Sequence, residues 1–177
     1  MWKRATWHEC AGELSQICSR FRRCYWGGRT NGVGWPRHPD DQREMEELSV
    51  DGIQLLRSIA LAVRSEQDFG LLPPTSDIIG AIKNQATWPD DVKTVKQNQG
   101  YSGLLSLGWK PLGLRQALNK IAHASPIKSD YYVGPLNSAH ELILSGEQEG
   151  SLWIASLSIL MLIDSIRLLP DTTVAYE

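Results

Sequence analysis

Apolar residues recur at helical spacing in several stretches of the chain, and the clearest stretch runs from about residue 40 to residue 65. Alternating steps of three and four residues place one set of side chains along a single face: Met45, Leu48, Gly52, Leu55, Ile59 and Ala62. Asp40, just before this set, can cap the free backbone amides of a first turn. The pattern predicts a long amphipathic helix that packs on a core.

The weaker stretches predict further helices, over residues 8–23, 75–82, 89–95, 111–125 and 158–169. Leu114, Leu118 and Ile121 form the apolar side of the helix that begins at Pro111. Pro126 ends this helix, because the residue before a proline disfavours helical geometry. Between residues 97 and 108 the polar and glycine-rich sequence is typical of a long loop.

Near the C-terminus the pattern changes from helical spacing to that of β-strands. His140 to Ser145 and Leu152 to Leu157 read as two strands, joined by a polar turn with glycines at both ends. The predicted fold is therefore mainly α, a helical bundle of four or five helices with a two-stranded β-hairpin before the last helix.

Composition supports one soluble globular domain. The chain has 177 residues, of which 42% are hydrophobic and 21% are charged. No apolar run approaches the roughly 18 residues of a membrane span, and no signal peptide follows Met1. The three cysteines form an odd set within residues 10–24, which favours reduced thiols over a secreted disulfide scaffold. We expect a cytoplasmic protein without membrane contacts.

Charge divides the chain into two segments. Residues 1–38, rich in Trp, Cys and Gly, carry seven basic and two acidic residues, whereas residues 39–177 have a net charge of −7. We therefore expect a loosely attached basic N-terminal extension, followed by a helical domain with the β-hairpin. Such an extension can contact nucleic acid, or it can pack on the protein's own acidic body.

Arg115, Asn119 and His123 form the most suggestive polar pattern, because steps of four residues place them in one row on the helix that begins at Pro111. Arginine offers a planar set of donors to a phosphate, and histidine can transfer a proton near neutral pH. Cleavage of an RNA phosphodiester requires both functions, with the asparagine orienting either neighbour. We predict these three residues as catalytic, with no metal or cofactor.

The run from Asn119 to His123 behind Arg115 resembles the signature helix of HEPN-type domains. In this chain Gln116 follows the arginine, and Asn119 stands between it and the histidine. The resemblance implies a small helical bundle that acts as a metal-independent ribonuclease in bacterial toxin–antitoxin or phage-defence systems. It also implies a homodimer in which two such helices meet around one cleft and bind RNA, with Arg115 and His123 in the catalytic roles.

Other interpretations stay open. The row can be the solvated face that any amphipathic helix needs, opposite Leu114, Leu118 and Ile121. The protein can instead be a non-catalytic helical interaction module, an antitoxin-like partner of another protein, which the long apolar stripe of the 40–65 helix would favour. A zinc site formed by His8, Cys10, Cys18 and Cys24 is disfavoured, because their spacing matches no common ligand pattern.

Overall fold

A computed structural model of the chain describes residues 7–27, 39–73, 75–98, 100–125, 130–133 and 140–170. The helices in these ranges are α1 Trp7–Gly27, α2 Pro39–Asp68, α3 Asp90–Gln97, α4 Tyr101–Ser106, α5 Leu114–His123 and α6 Ile159–Arg167. The strands are β1 Ile78–Asn84, β2 Lys110–Gly113, β3 Asp130–Val133, β4 His140–Gln148 and β5 Ser151–Ser158.

All five strands join one sheet in the order β2-β1-β5-β4-β3, and every neighbouring pair is antiparallel. The predicted mainly α fold, a bundle with a two-stranded hairpin before the last helix, is therefore wrong. β4 and β5 do pair directly, with Leu144 opposite Ala155. They lie inside a larger sheet, however, because β1 pairs with the free edge of β5 and β3 pairs with that of β4.

β1 explains most of this error, since its sequence was predicted as a short helix. Residues 79–82 are all buried, so β1 is covered on both faces and lacks the alternation that marks a half-exposed strand. A short apolar run of this kind fits a buried strand or a helix equally well. The strand pairing requires a glycine at residue 80, because a Cβ added there would lie 2.4 Å from the backbone oxygen of Ser156 on β5.

The second error concerns the start of α5. Pro111 does not begin this helix but lies in β2, and α5 begins three residues later at Leu114. Because β2 is at the edge of the sheet, the missing N–H of Pro111 costs no hydrogen bond to a further strand.

The sheet separates two hydrophobic cores. Leu142 and Leu144 of β4 face the larger core, which α1, α2, α5 and α6 cover, whereas Ile143 faces a smaller core covered by α3 and α4. Helices therefore cover both faces of the sheet, as in three-layered α/β proteins. The helix predicted over residues 8–23 exists as α1, but it is not loosely attached, since Leu14 and Phe21 are buried in the larger core.

Two other predicted helices are present with slightly different ends. Ser158 caps α6, where its Oγ accepts a hydrogen bond of 3.4 Å from the backbone N–H of Met161. The 40–65 helix is α2, which ends beyond Asp68 in a turn that requires Gly70, with φ of 72°. There the N–H of Leu71 donates to the carbonyl of Glu66 at 2.9 Å, which closes the helix. None of the helices in the described ranges has the length and apolar character needed to cross a membrane.

Candidate anion-binding cleft

α5, which carries the predicted catalytic row, lies antiparallel beside α2. Arg57 Nη2 donates to the carbonyl oxygen of Ala124 at 3.0 Å, just past the C-terminal end of α5. At the opposite end of the contact, Arg115 of α5 pairs with Asp68 of α2. One side of the row therefore meets a second helix rather than solvent.

Arg115 is held by two groups of α2. Its Nη1 donates to the backbone oxygen of Arg64 at 2.9 Å, and its Nη2 donates to a carboxylate oxygen of Asp68. Asp68 also lies 3.9 Å from Nε of Arg64, so a single carboxylate faces two guanidinium groups. Arg115 has a structural role between the helices while 42% of its side chain stays exposed.

His123, at the other end of the row, contacts Arg64. The Nε2 atom of the imidazole is 3.2 Å from Nη1 of Arg64. Because a guanidinium group can only donate, Nε2 must be the acceptor, which assigns the proton of the neutral ring to Nδ1. Arg64 thus touches both terminal members of the row, one through its backbone and the other through its side chain.

A cleft of about 500 Å³ opens where α5 crosses the ends of β1, β2 and β4. Four basic residues line it: Arg64, Lys110, Arg115 and Lys120. Four carboxamides also line it: Asn84, Gln116, Asn119 and Gln148. Among the described residues that line the cleft there is no carboxylate, although the chain as a whole has a net charge of −2.

Lys120 is fixed against the sheet. Its Nζ donates to Oε1 of Gln148 at 3.2 Å and lies 4.4 Å from the centre of the Trp153 ring. Gly146 leaves the space for this ring, because a Cβ at residue 146 would come within 2.4 Å of it. Burial lowers the pKa of Lys120, since the ammonium group has lost part of its water. An anion in the cleft would compensate for that loss.

A smaller cavity of about 250 Å³ lies farther along β4 and α5, with His123, Ser125, Ser145 and Glu147 among its lining residues. Arg115 and Asn119 therefore line one cavity and His123 lines the other. The three predicted residues share a helix, as expected, and the basic cleft includes two of them. Their catalytic roles stay a prediction.

Sequence reasoning missed Arg64, Lys110 and Gln148 of the cleft. These residues belong to α2, β2 and β4, which are far apart in the chain and meet only through the sheet and the α2–α5 contact. Lys120 could have been predicted from the sequence, because it follows Asn119 directly. No spacing rule connects Arg64, Lys110 or Gln148 to the row on α5.

Outside the cleft, two buried polar groups titrate unusually. His140 stacks on Phe21, with ring centres 5.5 Å apart, and burial together with the charge of Arg22 lowers the pKa of His140 to about 4. Glu141 points to the other face of the sheet, where it accepts a hydrogen bond from Ser156 Oγ, and burial raises its pKa.

The three cysteines, Cys10, Cys18 and Cys24, lie on α1 as free thiols. In the part of the chain that the structure describes, no three His, Cys, Asp or Glu side chains come close enough to share a metal ion. Cys18 and Cys24 are buried in α1, and burial raises the pKa of the Cys18 thiol to about 12. Cys18 behaves as a small apolar residue of the core, whereas the thiol of Cys24 also hydrogen-bonds Glu44.

Fold and cleft together define an α/β protein with an antiparallel sheet and a basic, amide-lined cleft at one end of it. Comparison of the chain with known protein families, with curated proteins and with solved structures finds no match.

Proposed function

We propose that this protein binds RNA through the cleft between α5 and the ends of β1, β2 and β4. One observation carries the proposal: four basic side chains line the cleft, and no carboxylate is found among the described lining residues of an otherwise acidic chain. A concentration of one sign of charge in a concave site attracts polyanions, and phosphate contacts dominate the affinity of proteins for nucleic acids.

The four basic residues are not equally available to a phosphate. Arg64 and Arg115 already face Asp68, so part of their charge is neutralised. Lys110 is exposed on the edge strand β2, and Lys120 donates to the neutral amide of Gln148 and lies over the Trp153 ring. We therefore assign the main phosphate contacts to the two lysines and a supporting field to the two arginines.

The proposal concerns binding. Cleavage by the predicted mechanism would need Arg115 and His123 at the same phosphate, and these residues line different cavities.

The alternative function, a non-catalytic interaction module, depends on the apolar stripe of α2. Most of that stripe is buried within the chain itself, where α2 packs against α1 and α5, and Leu55 and Ala62 are half-buried. The stripe therefore gives little support for a protein partner. A homodimer stays a prediction.

The test is a comparison of RNA affinities by fluorescence anisotropy at a fixed low salt concentration. The double variant Lys110→Gln/Lys120→Gln removes two charges and keeps most of each side chain. We expect it to bind a single-stranded RNA oligonucleotide at least about tenfold more weakly than the wild type. Lys93→Gln is the matched control, because Lys93 is exposed on α3, on the opposite face of the sheet. Equal affinity of the double variant and the control would overturn the proposal.

A further inference from the structure

The carboxamides of the cleft need an explanation that phosphate binding does not give. Asn84, Gln116, Asn119 and Gln148 line the same cavity as the four basic residues. A groove that only follows a phosphate backbone requires positive charge, whereas carboxamides offer a donor and an acceptor at fixed spacing. Such groups pair with the edges of nucleobases.

Gln148 is the carboxamide whose orientation the structure defines. Its Oε1 accepts the hydrogen bond from Lys120 Nζ, at 3.2 Å, so its amide NH₂ is the group left for a ligand. Lys120 and Lys110 offer only donors as well. This part of the cleft is therefore rich in donors, and it matches a ligand edge that carries acceptors.

Stacking cannot supply the selectivity instead. The described residues that line the cleft include no aromatic side chain. The ring of Trp153 is close by, but it is buried, and Lys120 lies over its face. Recognition by stacking tolerates any base, because every base has a π-face. A cleft that lacks stacking and offers directed hydrogen bonds should discriminate between bases.

We infer that the cleft selects RNA bases with a carbonyl oxygen at the position where cytosine and adenine carry their N4 and N6 amino groups, namely O4 of uracil and O6 of guanine, through the Gln148 amide next to Lys120. This inference rests on the proposed RNA binding and adds the class of base to it. Uracil and cytosine give the sharpest comparison. The two bases have similar size. They differ at C4, where uracil carries an acceptor oxygen and cytosine carries an amino donor.

The test measures dissociation constants of the full chain for oligouridylate and oligocytidylate of equal length by fluorescence anisotropy. We expect the wild type to bind oligouridylate about tenfold more tightly. Gln148→Glu replaces the NH₂ donor with an acceptor and keeps an oxygen for Lys120. Because the added charge weakens the binding of every RNA, the relevant quantity is the ratio of the two constants. We expect that ratio to fall to one or to reverse.

Gln97→Glu is the matched control. It makes the same change of charge at an exposed position of α3, on the opposite face of the sheet, and should keep the tenfold ratio. Equal, salt-dependent binding of both oligonucleotides by the wild type would overturn the base selectivity and leave the phosphate contacts standing. A ratio unchanged in Gln148→Glu would overturn the role of Gln148. Binding of neither oligonucleotide would overturn the proposed function itself.

Discussion

Arg64 Nη1 lies 3.2 Å from His123 Nε2, and this contact joins the long helix α2 to the C-terminal end of α5. Arg64 also lines the basic cleft, whereas His123 lines the smaller cavity beside it. The contact therefore connects a lining residue of one cavity with a lining residue of the other. His123 itself is not among the residues that line the basic cleft.

The catalytic role predicted for His123 can be separated from RNA binding on this basis. His123→Ala should bind RNA within about threefold of the wild type, because the main phosphate contacts are assigned to Lys110 and Lys120. If His123 transfers protons, metal-independent cleavage of RNA must be lost in the same variant. Gel assays of a labelled RNA in the presence of a chelator measure the cleavage.

A wild type that does not cleave RNA, or a variant that cleaves it at the same rate, would contradict the catalytic role. Either result would leave the binding proposal intact. A large loss of affinity in His123→Ala would instead contradict the division of roles between the two cavities.

Arg115 should contribute to the stability of the folded protein as well as to the positive charge of the cleft. Its guanidinium donates to the carbonyl of Arg64 and to the carboxylate of Asp68, and both contacts cross from α5 to α2. Because the side chain is 42% exposed, solvent screens part of the ion pair. We expect Arg115→Ala to lower the free energy of unfolding by about 1–2 kcal/mol, as measured by urea denaturation.

Gln116→Ala is the control for this substitution, since Gln116 is the next residue of α5 and is exposed. Its effect should stay within about 0.5 kcal/mol. Equal stability of the two variants would show that Arg115 does not link the helices.

Gly80 tests the strand that the sequence pattern predicted as a helix. In β1 an added methyl group would meet the backbone of β5, 2.4 Å from the oxygen of Ser156. We expect Gly80→Ala to destabilise the protein by about 2–3 kcal/mol. In an exposed helix the same substitution would stabilise by about 1 kcal/mol.

Gly12 of α1 provides the matched comparison, because no atom of the described residues outside its own helix lies within 4 Å of an added Cβ. Gly12→Ala should raise the free energy of unfolding by up to about 1 kcal/mol. Stabilisation by both substitutions would argue against the β1–β5 pairing.

Much of the fold follows from local patterns, and the errors at β1 and β2 have one cause. The loop predicted between residues 97 and 108 is a separate error, because this segment contains the short helix α4. α2 has clear periodicity and a starting signal at Asp40, and weaker patterns predict α3 and α6 from Pro89 and Ser158. β1 and β2 are short, and pairing with distant strands determines their conformation. The cleft follows the same rule. The row on α5 was visible in the sequence, whereas Arg64 and Gln148 join it only through tertiary contacts.

Stability should fall in moderate acid because of His140. Its pKa in the folded protein is about 4, below the ordinary value of 6.5, so between these values the unfolded chain binds more protons. The contribution of neutral His140 to the free energy of unfolding is therefore complete above pH 6.5, and it is lost as the pH falls towards 4. The loss amounts to about 3 kcal/mol. Urea midpoints measured across this range should decrease accordingly.

His140→Phe keeps an aromatic ring beside Phe21 and removes the titration, so its midpoints should depend less on pH in this window. Glu141, with its raised pKa, has the opposite effect, since its contribution is lost as the pH rises. The comparison of His140→Phe with the wild type isolates the histidine. Identical pH profiles of the two proteins would contradict the assignment.

The most direct test of the central claim is the salt dependence of RNA binding. The logarithm of the association constant of single-stranded RNA should fall linearly with the logarithm of the salt concentration. Removal of two phosphate contacts in Lys110→Gln/Lys120→Gln should make this slope shallower by about 1.4, while Lys93→Gln should keep the slope of the wild type. The same slope in all three proteins would contradict binding of RNA in the cleft.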